Sequence, residues 1–203
     1  MSSSKLSVGN FIKPGGTGIL SMGESNGRVV DRGTDPWGMG QWSYCVLSGG
    51  QKKTSFLIIS GYRPGWRSGP AGPRTAWSQQ QTMLLKEKRM EDPHDAFLTD
   101  LANWIGEYQT PSMEIMICLD ANKRWTDNAG IAKFADMFDL YNINKEMNLA
   151  PTHPNVANLS RSSTIDFCLC SANVLSNINW GTSTPYDLDV LGDHRGFIID
   201  VNL

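Results

Sequence analysis

The run Met113 to Leu119 (MEIMICL) constrains this chain more than any other segment. It is short, continuous and apolar apart from one glutamate, the pattern of a β-strand covered on both faces. A strand of that kind needs a layer above and a layer below it, which excludes a single open sheet and a bare helical bundle. With 203 residues, 40% of them hydrophobic, the chain suits one such layered core. The segments around it mix both periodicities. Thr17 to Met22, Gln41 to Ser48, Thr54 to Ser60, Thr164 to Cys170 and Gly196 to Val201 read as strands, and Gly49-Gly50 turns the second into the third. Trp77 to Met90 and Ala129 to Phe138 read as amphipathic helices. A further helix has an explicit start: Asp92 caps, Pro93 fits the first turn, and Phe97, Leu101, Trp104 and Ile105 recur at helical spacing. The expected class is α/β.

Composition removes several functions. No run approaches the roughly 20 apolar residues needed to span a bilayer, and the start MSSSKLSVGN lacks the apolar core of a secretory signal. The expectation is a soluble, intracellular protein of nucleus or cytoplasm that uses no membrane; KEKR is too short for a nuclear address. A net charge of -2 and a pI near 5.9 argue against a surface that binds polyanions everywhere. Two local basic groups stand out: Lys86, Lys88 and Arg89, which read as a solvated helix face, and Arg63, Arg67 and Arg74, interleaved with Trp66 and Trp77. The four cysteines, 45, 118, 168 and 170, show no CxxC pairing, and they read as buried free thiols. No internal repeat and no composition shift marks a second domain.

The polar residues of interest lie at strand ends. Asp120 and Asn122 follow the buried run directly, and a carboxylate and a carboxamide at this spacing either face one site or begin a turn. Asp166 sits in STIDFCLCS, where an ionised carboxylate is costly unless it is paired or hydrogen-bonded. Its partner is either backbone amide or His194 of LGDHRG, a buried carboxylate being well suited to orienting an imidazole. Asp193, next to that histidine, is a hard oxygen donor suited to magnesium or manganese. Tyr62 ends the apolar run SFLIISGY, where its hydroxyl reaches a phosphate or its ring packs at a turn. Arg63 and Arg195, beside Tyr62 and His194, are candidate phosphate-binding cations. His94 and His153, both next to prolines, read as surface residues.

The order GGTGIL, GYRP, LDAN, STIDFCLCS and GDHRGF, together with WSQQQTML, resembles the endonuclease/exonuclease/phosphatase family, which is similar to pancreatic-type deoxyribonuclease and abasic-site endonucleases. The nearest likeness is to the endonuclease domains of LINE-type retroelements. The resemblance implies a four-layer α/β sandwich of two mostly antiparallel sheets flanked by helices over residues 15–203, after an irregular start over 1–14. It also implies a metal-dependent phosphodiesterase acting on DNA with Mg2+ or Mn2+, and a reverse-transcriptase domain as partner. Carried over by residue, His194 contacts the scissile phosphate or moves a proton, with Asp166 holding its ring. Asp120 orients or deprotonates water, Asn122 positions it, Tyr62 stabilises the transition state and Asp193 lies at the metal. Two features depart from the family pattern. The first strand-helix-strand unit and its metal-binding glutamate have no counterpart before GGTGIL, and Glu24 comes after that segment. Three readings therefore stand: an active nuclease, a silent remnant of the fold with impaired metal binding, or a phosphoinositide or sphingomyelin phosphodiesterase.

Overall fold

A computed structural model of the chain describes residues 2–3, 16–49, 54–65, 72, 75–127, 130–153, 162–185 and 194–202. In chain order the elements are β1 (Ser2–Ser3), β2 (Gly16–Thr17), a 3-10 turn (Gly23–Arg28), β3 (Val29–Thr34), β4 (Trp42–Ser48), β5 (Ser55–Tyr62), α1 (Ala76–Lys86), α2 (Pro93–Tyr108) and β6 (Met113–Asp120). There follow α3 (Ile131–Met137), β7 (Leu140–Asn142), α4 (Ile143–Glu146), β8 (Asp166–Ser171), α5 (Ala172–Ser176), β9 (Ile178–Ser183) and β10 (Phe197–Val201). A six-stranded sheet of order β3-β4-β5-β6-β8-β7 forms the centre, with β9 and β10 as a separate antiparallel pair and a short β1-β2 ladder. The β5-β6 pair is parallel and the other pairs are antiparallel. The parallel pair requires a crossover, and the connection containing α1 and α2 supplies it. Gly50 of the expected turn between β4 and β5 lies outside the described residues.

Strand β6 packs between two cores, fully covered on the face of Ile115, Ile117 and Leu119 and covered on the other only at Met116, because Cys118 is exposed. Ile115, Ile117 and Leu119 join Leu57, Ile59, Phe167 and Leu169 in a core capped by Phe97, Leu101 and Ile105 of α2 and by Phe134 of α3. Met116 points the other way, into a core with Phe56, Cys168 and Cys170 against which Ile178, Phe197 and Ile199 of the small sheet pack. Trp42 lies at the helical side, edge-on to Trp37 and Phe97 at centroid separations of 5.8 and 6.1 Å. Helix α2 starts as expected: the Asp92 side chain accepts from the His94 backbone N–H, and Pro93 stands in the first turn. The Trp77 Nε1–H also donates to Asp92, which ties α1 to the start of α2.

Three expectations are corrected. Thr17 to Met22 is not a strand: only Gly16–Thr17 enters a ladder, and Leu20 and Met22 stand exposed. The strand beside β4 is instead Val29–Thr34, where the Arg32-Gly33-Thr34 stretch pairs with Ser43 to Cys45. His94 is buried rather than on the surface; its Nδ1 lies 2.9 Å from the Pro64 carbonyl, and its own carbonyl accepts from Arg63 Nε. Among the cysteines, Cys118 is exposed while Cys45, Cys168 and Cys170 are buried. The basic helical cluster is structural in part, because Arg89 forks onto Asp100 at 2.8 and 3.0 Å. No helix among the described residues is long and apolar enough to cross a membrane.

Two outcomes test this core. Ile117→Ala should cost about 2–5 kcal/mol in urea unfolding, the range for truncating a fully buried aliphatic side chain. Burial holds the His94 imidazole below its ordinary range, against a smaller upward pull from its bond to Pro64. The unfolded chain therefore binds the extra proton first, and stability should fall as pH drops below about 6.5. His94→Asn, whose amide can still donate to Pro64, should flatten that part of a Tm-versus-pH curve.

Candidate functional site

Strand register assembles the site. Tyr62 on β5 is paired with Asp120 on β6, and Asp120 with Asp166 on β8, so the three side chains form one rung across neighbouring strands. They share a face because alternation along β6 sends Met116, Cys118 and Asp120 to the side opposite Ile117 and Leu119. This is the face toward β9 and β10. The end of β10 that enters the sheet brings His194 to the same place, and its Nδ1 lies 2.9 Å from both oxygens of Asp166. Both side chains are largely buried, at 28% and 13% exposure, where a hydrogen bond to an ionised carboxylate counts for more than it does in water. A carboxylate accepts from an imidazole N–H, so the contact orients the His194 ring and leaves Nε2 as its outer nitrogen. One donor atom from each of Asp120, Asp166 and His194 lies within 4.8 Å of the others. Two carboxylate oxygens and an imidazole nitrogen at that spacing are a donor set that fits a divalent cation.

The loop after β6 holds Asn122 in a strained but accessible backbone form. Its φ is +49°, a region that asparagine tolerates better than most residues. The Asn122 N–H donates to Asp120 Oδ1 at 3.2 Å, closing a small turn, and its side-chain amide donates to the Arg63 carbonyl at 2.8 Å. The Asp-Ala-Asn motif therefore closes a turn and ties the end of β6 to the chain after β5. Arg63 N–H in turn donates to the Asp120 carbonyl, and Tyr62 N–H to the Gln41 carbonyl. Gln41 belongs to a loop folded around buried Asp35, whose carboxylate accepts from the N–H groups of Met39, Gly40 and Gln41. Burial first, and then the Asp120 charge, raise the Tyr62 phenol above its ordinary range, so it is a protonated donor at neutral pH.

Arg63 does not point into this rung. Its guanidinium is buried beside the start of α2, with Nη2 3.8 Å from Asp95, and burial pulls it down to about 10, which leaves it cationic at neutral pH. It lines a groove of about 660 Å³ between α2 and α3, whose walls include Lys123, Lys133, Leu98 and Phe134. Lys123 directly follows Asn122, so the groove begins where the catalytic-end loop leaves the sheet.

No family model matches the chain, and no curated protein matches it by sequence. Solved structures do. The endonuclease domain of TRAS1, a telomere-specific non-LTR retrotransposon, superposes with a TM-score of 0.52 at 15% identity over 81% of this chain and 64% of that domain. An AP endonuclease from Archaeoglobus fulgidus gives 0.59 at 10% identity, over 86% of this chain and 72% of the other. The 3′ phosphatase NExo from Neisseria gives 0.54 at 10%, over 80% and 65%. The chain has the endonuclease/exonuclease/phosphatase fold. It spans less than two thirds of the TRAS1 domain.

Within that fold the structure brings Tyr62, Asp120, Asn122, Asp166 and His194 to one sheet end, as the sequence pattern suggests. Arg195 contributes its backbone N–H to the Thr152 carbonyl at 2.8 Å, and its side chain is half-buried. Asp193, Arg67, Arg74 and Trp66 lie outside the described residues. Glu24 is exposed on the 3-10 turn and takes no part in the Asp-Asp-His group. Three residues of the site were missed. Fully buried Thr152 accepts from the N–H groups of Ile165 and Asp166 through its hydroxyl, while its carbonyl holds Arg195, so it joins both halves of the Asp166–His194 pair. Asn144 bonds the Asp166 carbonyl and the Cys168 N–H. His153, expected at the surface, is half-buried and packs edge-on against the His194 ring at 5.3 Å. Only the polar character of these residues near prolines or turns signalled them. Thr152→Val preserves shape but leaves two N–H groups without their acceptor, and should cost about 1–3 kcal/mol in denaturant unfolding.

Proposed function

We propose that this chain is the nuclease part of a metal-dependent phosphodiesterase of retroelement type, cutting DNA by attack of water on a phosphodiester. The observation that carries the reading is the single rung Tyr62–Asp120–Asp166 with His194 bonded to its last member. Phosphoryl transfer asks the protein mainly for positioning and for charge stabilisation, and this cluster supplies both. Asp120 accepts a hydrogen bond and then the proton of the attacking water, while Asn122 fixes the direction of approach. His194, in its imidazolium form and oriented by Asp166 at Nδ1, donates Nε2–H to a phosphate oxygen. The protonated Tyr62 phenol donates to the oxygens on which negative charge gathers. As the new P–O bond forms, the bond to the leaving sugar oxygen breaks, and that oxygen takes up a proton from solvent water. Asp120 and Asp166 would hold a divalent cation, Mg2+ or Mn2+, whose charge would offset that of the phosphate oxygens, beside the His194 ring. Asp193 is proposed as a further ligand.

DNA as the substrate is supported by the groove beyond Asn122, where Lys123 and Lys133, beside Asp95 and Asp127, stand along a path for flanking backbone phosphates. Retroelement type, and with it a reverse-transcriptase domain as partner, is supported by the order of the sequence motifs and by the shared fold with the TRAS1 endonuclease domain.

Supercoiled-plasmid nicking in Mg2+ or Mn2+ tests the reading. His194→Ala and Asp120→Asn should each lower the rate by at least about 100-fold, as expected for loss of a positioned proton-transfer group. No nicking by a folded parent at any metal concentration would overturn it. The double variant Lys123→Ala/Lys133→Ala should make the plot of log affinity against log salt shallower by about 0.9 for each phosphate that no longer meets a lysine.

A further inference from the structure

The same register that builds the candidate rung sets a pair of thiols two residues along the ladder, on the same face. Cys118 on β6 stands directly opposite Cys168 on β8, and their Sγ atoms are 3.8 Å apart. Each lies two residues from a carboxylate of the site, Cys118 from Asp120 and Cys168 from Asp166, on the same face of the sheet. Residues directly opposed in an antiparallel pair have Cα atoms about 4.5 or 5.5 Å apart according to the rung, and either value lies inside the span a disulfide bridges. The sulfurs therefore need to close only from 3.8 Å to about 2 Å. Cys118 is exposed to solvent and Cys168 is buried, so a small oxidant meets Cys118 first and Cys168 is the resolving thiol behind it. Cys170 faces Met116 and Cys45 faces Ile58, so neither stands opposite another cysteine.

We propose that Cys118 and Cys168 form an oxidisable dithiol site, closed by a peroxide to a cross-strand disulfide that disturbs the neighbouring Asp120–Asp166 rung. In the first step the Cys118 sulfur bonds one peroxide oxygen as the O–O bond breaks. The departing oxygen takes the thiol proton and leaves as water, and the sulfur, oxidised by two electrons, is a sulfenic acid. In the second step the Cys168 sulfur bonds that of Cys118, the S–O bond breaks, and the Cys168 proton leaves with the hydroxyl group as a second water. The net change is two thiols and one peroxide to one disulfide and two waters. Closing the bridge pulls the two sulfurs together and locks the β6–β8 pair two residues from each carboxylate, where a displacement on the order of 1 Å costs catalysis heavily.

The chemistry of the dithiol stands without the nuclease reading, and only its effect on cutting rests on that reading. The full chain, treated with hydrogen peroxide, is alkylated and digested without reductant and mapped by mass spectrometry. The expected result is a link between the peptides containing Cys118 and Cys168, an intact mass lower by two hydrogens, and full reversal by dithiothreitol. Cys118→Ser should abolish the link and should nick like the reduced parent. A link between any other cysteines, or over-oxidation of Cys118 with no link, overturns the site whether or not the protein cuts DNA. Plasmid nicking by the linked form should fall at least about tenfold and recover on reduction. A linked form that nicks as fast as the reduced one overturns the coupling and leaves the nuclease reading intact. If the reduced parent does not nick at all, the nuclease reading fails, and the mapping still decides the dithiol.

Discussion

Packing of β6 between two cores is the constraint from which the rest of the molecule follows. Register is strongly specified wherever a strand buries a face, and here a slip of one residue would send Ile115, Ile117 and Leu119 away from α2 and turn Asp120 into the helical core. Hydrophobic packing and the cost of burying a charge thus oppose the same displacement. The register they hold in place aligns Tyr62, Asp120 and Asp166, and two residues along the ladder it aligns Cys118 with Cys168.

What the sheet cannot do is bring in residues from distant stretches of chain, and buried polar groups perform that task. Asp35 folds the loop that presents Gln41 to Tyr62; Asn122 ties the end of β6 to the end of β5; Thr152 and Asn144 anchor the start of β8. Each satisfies several backbone groups at once, which is why such residues tolerate burial and why the geometry around Asp166 and His194 is narrow. Electrostatics act on top of this frame. Burial and the Asp120 charge both favour the protonated phenol of Tyr62, while Arg63, cationic and buried, faces a separate groove rather than the reacting centre.

Much of this was legible in the linear chain. The strands Trp42–Ser48, Ser55–Tyr62 and Met113–Asp120 and the capped helix Pro93–Tyr108 declare themselves through periodicity and local stereochemistry, which need no knowledge of the fold. The catalytic candidates were legible for a related reason: a carboxylate at the end of an apolar strand contradicts its surroundings and demands a partner. Thr17 to Met22 misled because its apolar residues match strand composition, yet only Thr17 of that range finds a ladder. Val29–Thr34, with charged residues facing water, carries the weaker signal and is the real edge strand. His94 and His153 misled because proximity to proline says where a turn is and nothing about what packs over it.

By itself the amino-acid sequence determined the central strand packed between two cores, the cap of α2, and the set of residue types from which a phosphate-directed site can be built, because these depend on neighbours along the chain. The tertiary structure alone decided which of those residues meet. Only long-range pairing puts Asp166 opposite Asp120, hangs both ends of the Asp166–His194 pair on Thr152, turns Arg63 toward the groove, and opposes two cysteines 50 positions apart. Those outcomes are set by sheet register and burial, which are properties of the whole packed core.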